Sequence, residues 1–149
     1  PTTQSISFIG VTNLSTFMEF GEFTKQLLST SGMTYNVISH SEGNAEVEIV
    51  SNGYGSRDWA YIALHCKKRT RITISYIASS LGESGSYGYV ASEPIVDADN
   101  VTSNALVYVG KCQAIQYIAS ADEVVYLGFT KAYFSGNDGE KISFEIEVL

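Results

Sequence analysis

The sequence has few charged residues, two prolines, two cysteines and no long apolar run. Charged residues make up 17% of the 149 residues, against about a quarter in an average soluble domain. A hydrophobic content of 44% is too high for intrinsic disorder. No stretch reaches the roughly 18 apolar residues of a membrane span, and the first residues lack a secretory signal. We therefore expect one domain over residues 1–149, synthesised in the cytoplasm and not inserted in a membrane.

Basic residues are also scarce. Nine Lys and Arg against sixteen Asp and Glu give a net charge of −7, which argues against nonspecific binding to nucleic acid or to an anionic membrane. The two cysteines, Cys66 and Cys112, are too few for a disulfide framework. Each lies in an apolar run, where free buried cysteine is common. Two free thiols are the prediction, and one disulfide is the alternative.

What the chain has in abundance is strand-forming residues. Ten tyrosines and seven phenylalanines accompany many Ile, Val, Thr and Ser residues. Apolar and polar residues alternate over 45–49, 71–76 and 142–148, which is typical of antiparallel strands with one wet face. Gly, Asn, Asp and Ser clusters punctuate them as turns. Strands are predicted near 4–9, 16–23, 34–39, 45–51, 58–66, 70–78, 86–92, 104–110, 113–119, 123–130 and 141–149.

This pattern predicts an all-β fold, an antiparallel β-sandwich of jelly-roll type with about ten strands. The segment Phe23–Ser29 is the only candidate for a short helix. No repeat, linker or low-complexity tract divides the chain.

Motifs for catalysis are missing. The sequence has no HExxH, CxxC, GxxxxGK or GxSxG pattern. Its two histidines, His40 and His65, fall in different predicted strands, and His65 fits a structural role better than a catalytic one. Acidic pairs such as Glu46 and Glu48 are interpreted as solvated charges on one face of a strand. We therefore predict that the chain is not an enzyme.

Two acidic loops are weak candidates for calcium, which takes several oxygen ligands from such segments. They contain Asp97 and Asp99 in one loop, and Asn137 and Asp138 in another. Neither has the spacing of a calcium-binding loop, and turn formation alone explains both. No cofactor is predicted, and a structural calcium ion stays an open alternative.

Aromatic residues in loop-like settings are the most suggestive feature. A carbohydrate site needs flat apolar rings for the C–H faces of the sugar and polar groups for its hydroxyls. The alternative is that these rings are ordinary sandwich residues, and for Trp59 a place in the core is favoured. The candidate ligand-binding residues are Asn52, Tyr54, Arg57, Trp59, Tyr87, Tyr89 and Tyr133.

Two parts of the chain resemble known domains. Arg57–Leu64 (RDWAYIAL), followed by Lys68–Tyr76 (KRTRITISY), looks like a recurring segment of carbohydrate-binding-module-like, galactose-binding-like jelly rolls. Val125–Lys131 (VYLGFTK) and Ser135–Ile146 (SGNDGEKISFEI) resemble the closing hairpin of similar domains in bacteriophage tail and virion-surface proteins. The resemblance covers roughly residues 57–79 and 123–149. It implies a jelly roll and sugar binding through loop aromatics.

Two functional hypotheses follow. In the first, the chain is a non-catalytic recognition module on a bacteriophage virion or tail appendage, where it binds host-surface carbohydrate. In the second, it is a structural assembly protein (a capsid decoration, adaptor or fibre component) that self-associates and binds another virion protein. Both imply a place on the virion surface, and a repeating virion lattice favours a homo-oligomer.

Overall fold

The computed structural model describes residues 28–29, 32–41, 43–51, 57–78, 85–132 and 140–149, and the fold is built from these segments. They form two five-stranded antiparallel sheets. Sheet I has the strand order β1-β4-β9-β6-β7, and sheet II has the order β2-β3-β10-β5-β8. The strands are β1 (Leu28–Ser29), β2 (Met33–Ser41), β3 (Asn44–Ser51), β4 (Trp59–Cys66), β5 (Thr70–Ile77), β6 (Tyr87–Ala91), β7 (Val107–Val109), β8 (Ala114–Ile118), β9 (Glu123–Thr130) and β10 (Lys141–Val148).

The strand pairing is nested along the chain. β3 pairs with β10, β4 with β9, β5 with β8, and β6 with β7. Along the sequence, each pair is therefore enclosed by the pair before it, and successive pairs alternate between the two sheets. This arrangement of two four-stranded sheets is a jelly roll, extended by β1 and β2 at one edge of each sheet. The predicted all-β sandwich of jelly-roll type is confirmed.

The core lies between the two sheets and follows the period-two alternation of the sequence. On β5, Ile72 and Ile74 are fully buried while Arg71 and Thr73 on the opposite face are partly exposed. The Tyr76 and Phe129 rings meet edge to face across the sandwich, with centroids 5.3 Å apart. Burial of these faces is the main stabilising term of the fold.

β4 differs from these half-buried strands because it is buried on both faces. Ala60, Ile62 and Leu64 belong to the inner core, and Ala63 and His65 on the outer face are also buried. Burial lowers the pKa of His65 below its usual value, so the neutral imidazole is favoured. The structural role predicted for His65 agrees with this position.

Both cysteines are free thiols, as the sequence predicts. Cys66 is fully buried at the end of β4, where burial raises its thiol pKa, and Cys112 is exposed in the turn before β8.

The predicted strands near 4–9 and 16–23 lie outside the described residues, as does most of the helix candidate Phe23–Ser29. Its last two residues, Leu28 and Ser29, form β1 instead of a helix, because they pair with Tyr61 and Ala60 of β4.

The predicted strand 104–110 begins only at Val107. Ahead of it, a 3-10 turn (Ala98–Asn100) runs into a short helix, α1 (Val101–Asn104). The Asp97 carboxylate starts this turn by accepting a hydrogen bond from the Asp99 N–H at 2.9 Å. Within the described segments, no helix is long and apolar enough to cross a membrane.

We expect Phe144→Ala to lower the free energy of unfolding by about 3–5 kcal/mol, because the ring is fully buried between the sheets. Urea unfolding measures this change. The control is Glu145→Ala, an exposed neighbour on the other face of β10, which should cost under about 0.5 kcal/mol. A neutral Phe144→Ala would show that this face of β10 does not form the core.

Candidate functional site

The last residues of β3, β5, β7 and β9 and the first residues of β4, β6, β8 and β10 lie at one end of the sandwich, here called the loop end. Backbone hydrogen bonds join them. Ser51 N donates to Glu140 O at 2.8 Å, and Cys112 N donates to Tyr76 O at 3.0 Å. The predicted ligand residues Arg57, Trp59 and Tyr87 all lie here, so residues far apart in sequence come together.

Trp59 and Tyr87 share the outer face of sheet I. In the strand register, Trp59 lies opposite Thr130 of β9, and Thr130 lies opposite Tyr87 of β6. The two aromatic residues are therefore two strands apart, roughly 10 Å. Trp59 also stacks on Tyr61, with ring centroids 5.8 Å apart and an interplanar angle of 14°. Trp59 is partly exposed and lies on the outer face, which corrects the favoured place in the core.

A cleft of about 380 Å³ opens beside Tyr87. Its aromatic wall is Tyr87 and Tyr108, whose rings meet edge to face with centroids 5.5 Å apart and an angle of 85°. Tyr108 is 40% exposed, so its ring is available for contact. The full lining is Gly85, Ser86, Tyr87, Tyr108, Gly110, Lys111 and Gln113.

The polar side of the cleft is the β7–β8 turn, residues 110–113. Cys112 takes a left-handed conformation there, with φ of 62°, and Gln113 N donates to Gly110 O at 3.1 Å. Gly110 N in turn donates to Gln113 Oε1 at 2.9 Å, which fixes the orientation of the Gln113 amide. The turn therefore presents a preorganised amide next to the two tyrosine rings.

A buried ion pair lies behind this turn. Lys111 Nζ is 3.2 Å from Glu140 Oε2, and the two side chains are 5% and 2% exposed. The Tyr76 hydroxyl donates to Glu140 Oε1 at 3.0 Å. Burial, and then the negative charge of Glu140, raise the pKa of Tyr76, so its hydroxyl stays protonated and keeps donating. These contacts tie the cleft to β5 and β10.

Tyr89 was predicted to bind ligand, and the structure corrects this. Its side chain is fully buried, and its hydroxyl both donates to Ile95 O and accepts from Ile95 N, each at 2.9 Å. The connection between β6 and β7 covers it on the outer face of sheet I. The ring lies over Gly128, where a Cβ atom would be 2.1 Å from Tyr89 Cζ.

The Arg57 guanidinium forms ion pairs with Asp97 and Asp99, the two acidic residues considered for calcium. Arg57 Nη1 is 3.1 Å from Asp97 Oδ1, and Nη2 is 3.5 Å from Asp99 Oδ2. All three side chains are substantially exposed, so each ion pair contributes little to stability. These ion pairs link the β6–β7 connection to Arg57, two residues before Trp59. In the described part of the chain, no group of three or more His, Cys, Asp or Glu residues is arranged to hold a metal ion.

Several predicted residues lie outside the described residues: Asn52, Tyr54, Tyr133, Asn137 and Asp138. Tyr108, Lys111 and Gln113 were not predicted. The alternation of the short run Val107–Val109 sets Tyr108 on the face opposite to its two valines. Only the pairing of β6 with β7 brings it to Tyr87, and sequence alone does not give that pairing.

A larger depression of about 470 Å³ lies in the β6–β7 connection. It offers no aromatic face for stacking, so the Tyr87–Tyr108 cleft is the better candidate site. Its lining is Ser92, Glu93, Pro94, Ile95, Ser103 and Asn104.

Comparison with known proteins adds little to this geometry. No protein-family model and no curated protein sequence matches the chain, so neither comparison supports the resemblance to carbohydrate-binding modules or a bacteriophage origin. One similar solved structure is that of KdgF from Halomonas sp., at 9% identity and a TM-score of 0.38. The match covers 80% of this chain and 84% of that one. A likeness this distant carries no argument about activity or ligand.

Tyr89→Phe should lower the free energy of unfolding by about 1–3 kcal/mol, because it leaves the buried Ile95 N–H without its acceptor. Chemical denaturation measures the change. Retention of carbohydrate, the ligand hypothesised from the sequence, should stay at the wild-type level, since Tyr89 is buried under the β6–β7 connection. A loss of retention in a stably folded Tyr89→Phe would contradict the structural role.

Lys111→Met should cost about 3–5 kcal/mol, because it leaves the Glu140 carboxylate buried without its cation. The matched control is Lys141→Met. Lys141 Nζ is also 3.2 Å from a carboxylate, that of Glu48, but the lysine side chain is 37% exposed. This variant should cost under about 1 kcal/mol. Equal losses in the two variants, measured by urea unfolding, would contradict a special role for the buried pair.

Proposed function

We propose that the chain is a non-catalytic recognition module that binds carbohydrate in the cleft between Tyr87 and Tyr108. The observation that carries this proposal is the edge-to-face tyrosine pair beside the fixed Gln113 amide. A sugar ring has apolar C–H faces, which stack on a flat aromatic ring, and hydroxyls, which bond to amides and other polar groups. The cleft offers aromatic rings on its tyrosine wall and an amide on the side of the β7–β8 turn.

The position of the cleft supports the same function. It lies at the loop end, and binding residues are often found on connecting segments that a rigid scaffold positions. The buried Lys111–Glu140 pair and the Tyr76 hydrogen bond hold the β7–β8 turn, so little ordering is needed when a ligand binds.

Among the described residues, two groupings come closest to a catalytic arrangement. Lys131 Nζ donates to Ser51 Oγ at 2.7 Å, a pairing that some hydrolases use. These two residues are 1% and 0% exposed, so both are closed to a substrate. Glu46 and Glu145 lie opposite each other on the outer face of sheet II, where they line a separate depression of about 250 Å³. Neither grouping reaches the tyrosine cleft, which supports binding without catalysis at that cleft.

The proposed setting is a bacteriophage virion or tail appendage, with host-surface carbohydrate as the ligand. Its support is the sequence resemblance of residues 125–131 and 135–146 to such domains. The expected closing hairpin is wrong, because β9 and β10 lie in different sheets and do not pair. The alternative function, a structural assembly protein, is favoured by another observation, the open edge of β8, which is considered in the next subsection.

We expect Tyr108→Ala to weaken binding to glycans found on an array at least about tenfold, because it removes the exposed stacking ring. Tyr108→Phe should keep most of the affinity, since it keeps the ring. Titration calorimetry with the best array glycan measures both changes, and thermal unfolding checks that the variants fold.

The control is Tyr126→Ala. Tyr126 lies on the same outer face but outside the cleft, with its ring edge to face on Tyr61. It should leave the affinity unchanged. An array without signal for the wild-type protein, or equal losses in Tyr108→Ala and Tyr126→Ala, would overturn carbohydrate binding at this cleft.

A further inference from the structure

The sandwich has four edge strands among its described residues, and they differ in how well they resist pairing with another chain. β7 has three residues, too short to template a strand, and β1 is described only over Leu28–Ser29. β2 is long, but its pairing with β3 shifts at Ile38, between Val37 and Ser39, and such a bulge twists an edge away from further pairing. β8 has five residues in regular register with β5 and has none of these protections.

The open side of β8 is accessible. Four of its five residues are exposed, including Ile115 at 40% and Ile118 at 52%. Gln113 O accepts from Tyr76 N, and Ala119 N donates to Thr70 O, so the odd-numbered residues direct their backbone groups to β5. The backbone N–H and C=O groups of Ala114, Gln116 and Ile118 therefore point away from the sheet.

The segment that contains β8 carries no charge. From Cys112 to Ala121, ten consecutive residues include no Asp, Glu, Lys or Arg, in a chain of net charge −7. Natural edge strands usually carry a charged residue or proline that blocks pairing. Two acidic molecules of the same kind repel each other, and a strand without charged residues adds nothing to that repulsion.

The carboxylates of β10 do not oppose a second copy as the occupant. In sheet II, β5 separates β8 from β10, which carries Glu145 and Glu147. When two copies pair through β8, their β10 strands lie five strand spacings apart, roughly 24 Å. That is about three Debye lengths at physiological salt, so the repulsion between these carboxylates is screened. Arg71 on the intervening β5 also pairs with Glu147.

We propose that β8 pairs antiparallel with β8 of a second copy around a two-fold axis at Gln116, which joins the two sheets II into one continuous ten-stranded sheet. Gln116 then lies opposite Gln116, and Ala114 opposite Ile118. The arrangement is self-complementary, as a two-fold interface requires. Tyr117 is held by its hydroxyl, which donates to Glu123 Oε2 at 2.7 Å, so the edge is already ordered before pairing.

One strand pair buries less area than a standard interface of about 1,200–2,000 Å², so a concentration-dependent dimer is expected. Sedimentation equilibrium of the wild-type protein up to about 1 mM should show monomer and dimer. A monomer throughout that range would overturn the proposal.

The decisive variants place charges on the two-fold axis. Gln116→Lys and Gln116→Glu should each weaken dimerisation at least about tenfold, because like charges then lie directly opposite each other. An equimolar mixture of the two should restore a dimer that contains one copy of each. Val96→Lys is the control, because Val96 is also an exposed apolar residue, 47% exposed, but lies in the β6–β7 connection. Thermal unfolding checks the fold of each variant.

If both Gln116 variants dimerise as strongly as the wild-type protein in sedimentation equilibrium, the proposal is overturned. Failure of the mixture to recover a dimer would also overturn it. A second measurement uses Cys112, which is exposed while Cys66 is fully buried, so a spin label attaches selectively. The proposed register separates the two labelled residues by roughly 25–30 Å along the strands. A markedly different distance in pulsed electron resonance would contradict this register. Neither result depends on glycan binding, so this proposal and the proposed function fail independently.

Discussion

The burial of alternating faces between two sheets is the interaction on which the rest of this structure depends. β5 and β10 bring Ile72, Ile74 and Phe144 against β4 and β9, and a strand shifted by one residue would turn its apolar set toward water. The register is therefore fixed. Because the pairs are nested from β3–β10 inward to β6–β7, a fixed register also fixes which connections meet at the loop end. The candidate cleft is a consequence of that convergence: Tyr87 follows one connection and Gln113 ends another, and no short sequence motif contains both.

The loop end is also where the apolar core gives way to polar groups, and Tyr76 joins the two. Its ring packs edge to face on Phe129 inside the core, while its hydroxyl donates to Glu140. Glu140 in turn holds Lys111 of the β7–β8 turn. A buried ion pair gains little net stability over apolar packing, but removing one partner leaves a costly charge. The pair therefore acts on geometry more than on stability, because it holds the turn that carries Gln113 in one place relative to β5.

The sequence could predict the elements whose burial depends on their own alternation. β3, β5 and β10 lie within a residue or two of their predicted bounds, because one face of each is apolar and the other polar. It could not separate Tyr87 from Tyr89, which are two residues apart and share one face of β6. The connection between β6 and β7 buries Tyr89 through Ile95 and leaves Tyr87 at the cleft. The sequence of that connection has no alternation of apolar and polar residues from which its position could be predicted. Arg57 was likewise expected to face a ligand, but its partners, Asp97 and Asp99, are 40 and more residues away.

Recognition and assembly need not be competing explanations for this chain, because the two proposed surfaces do not overlap. The cleft ends at Gln113 on the outer side of the β7–β8 turn, and β8 begins at the next residue. In an antiparallel pair centred on Gln116, the two Gln113 residues lie six residues apart along the strands, roughly 20 Å. Stacking of one sugar on one tyrosine pair is a weak interaction. In the proposed dimer, two clefts at that spacing would convert a second contact with a dense glycan surface into an intramolecular event, which raises avidity without a new contact. The proposed pairing of β8 would thus compensate for the weakness of the proposed sugar site.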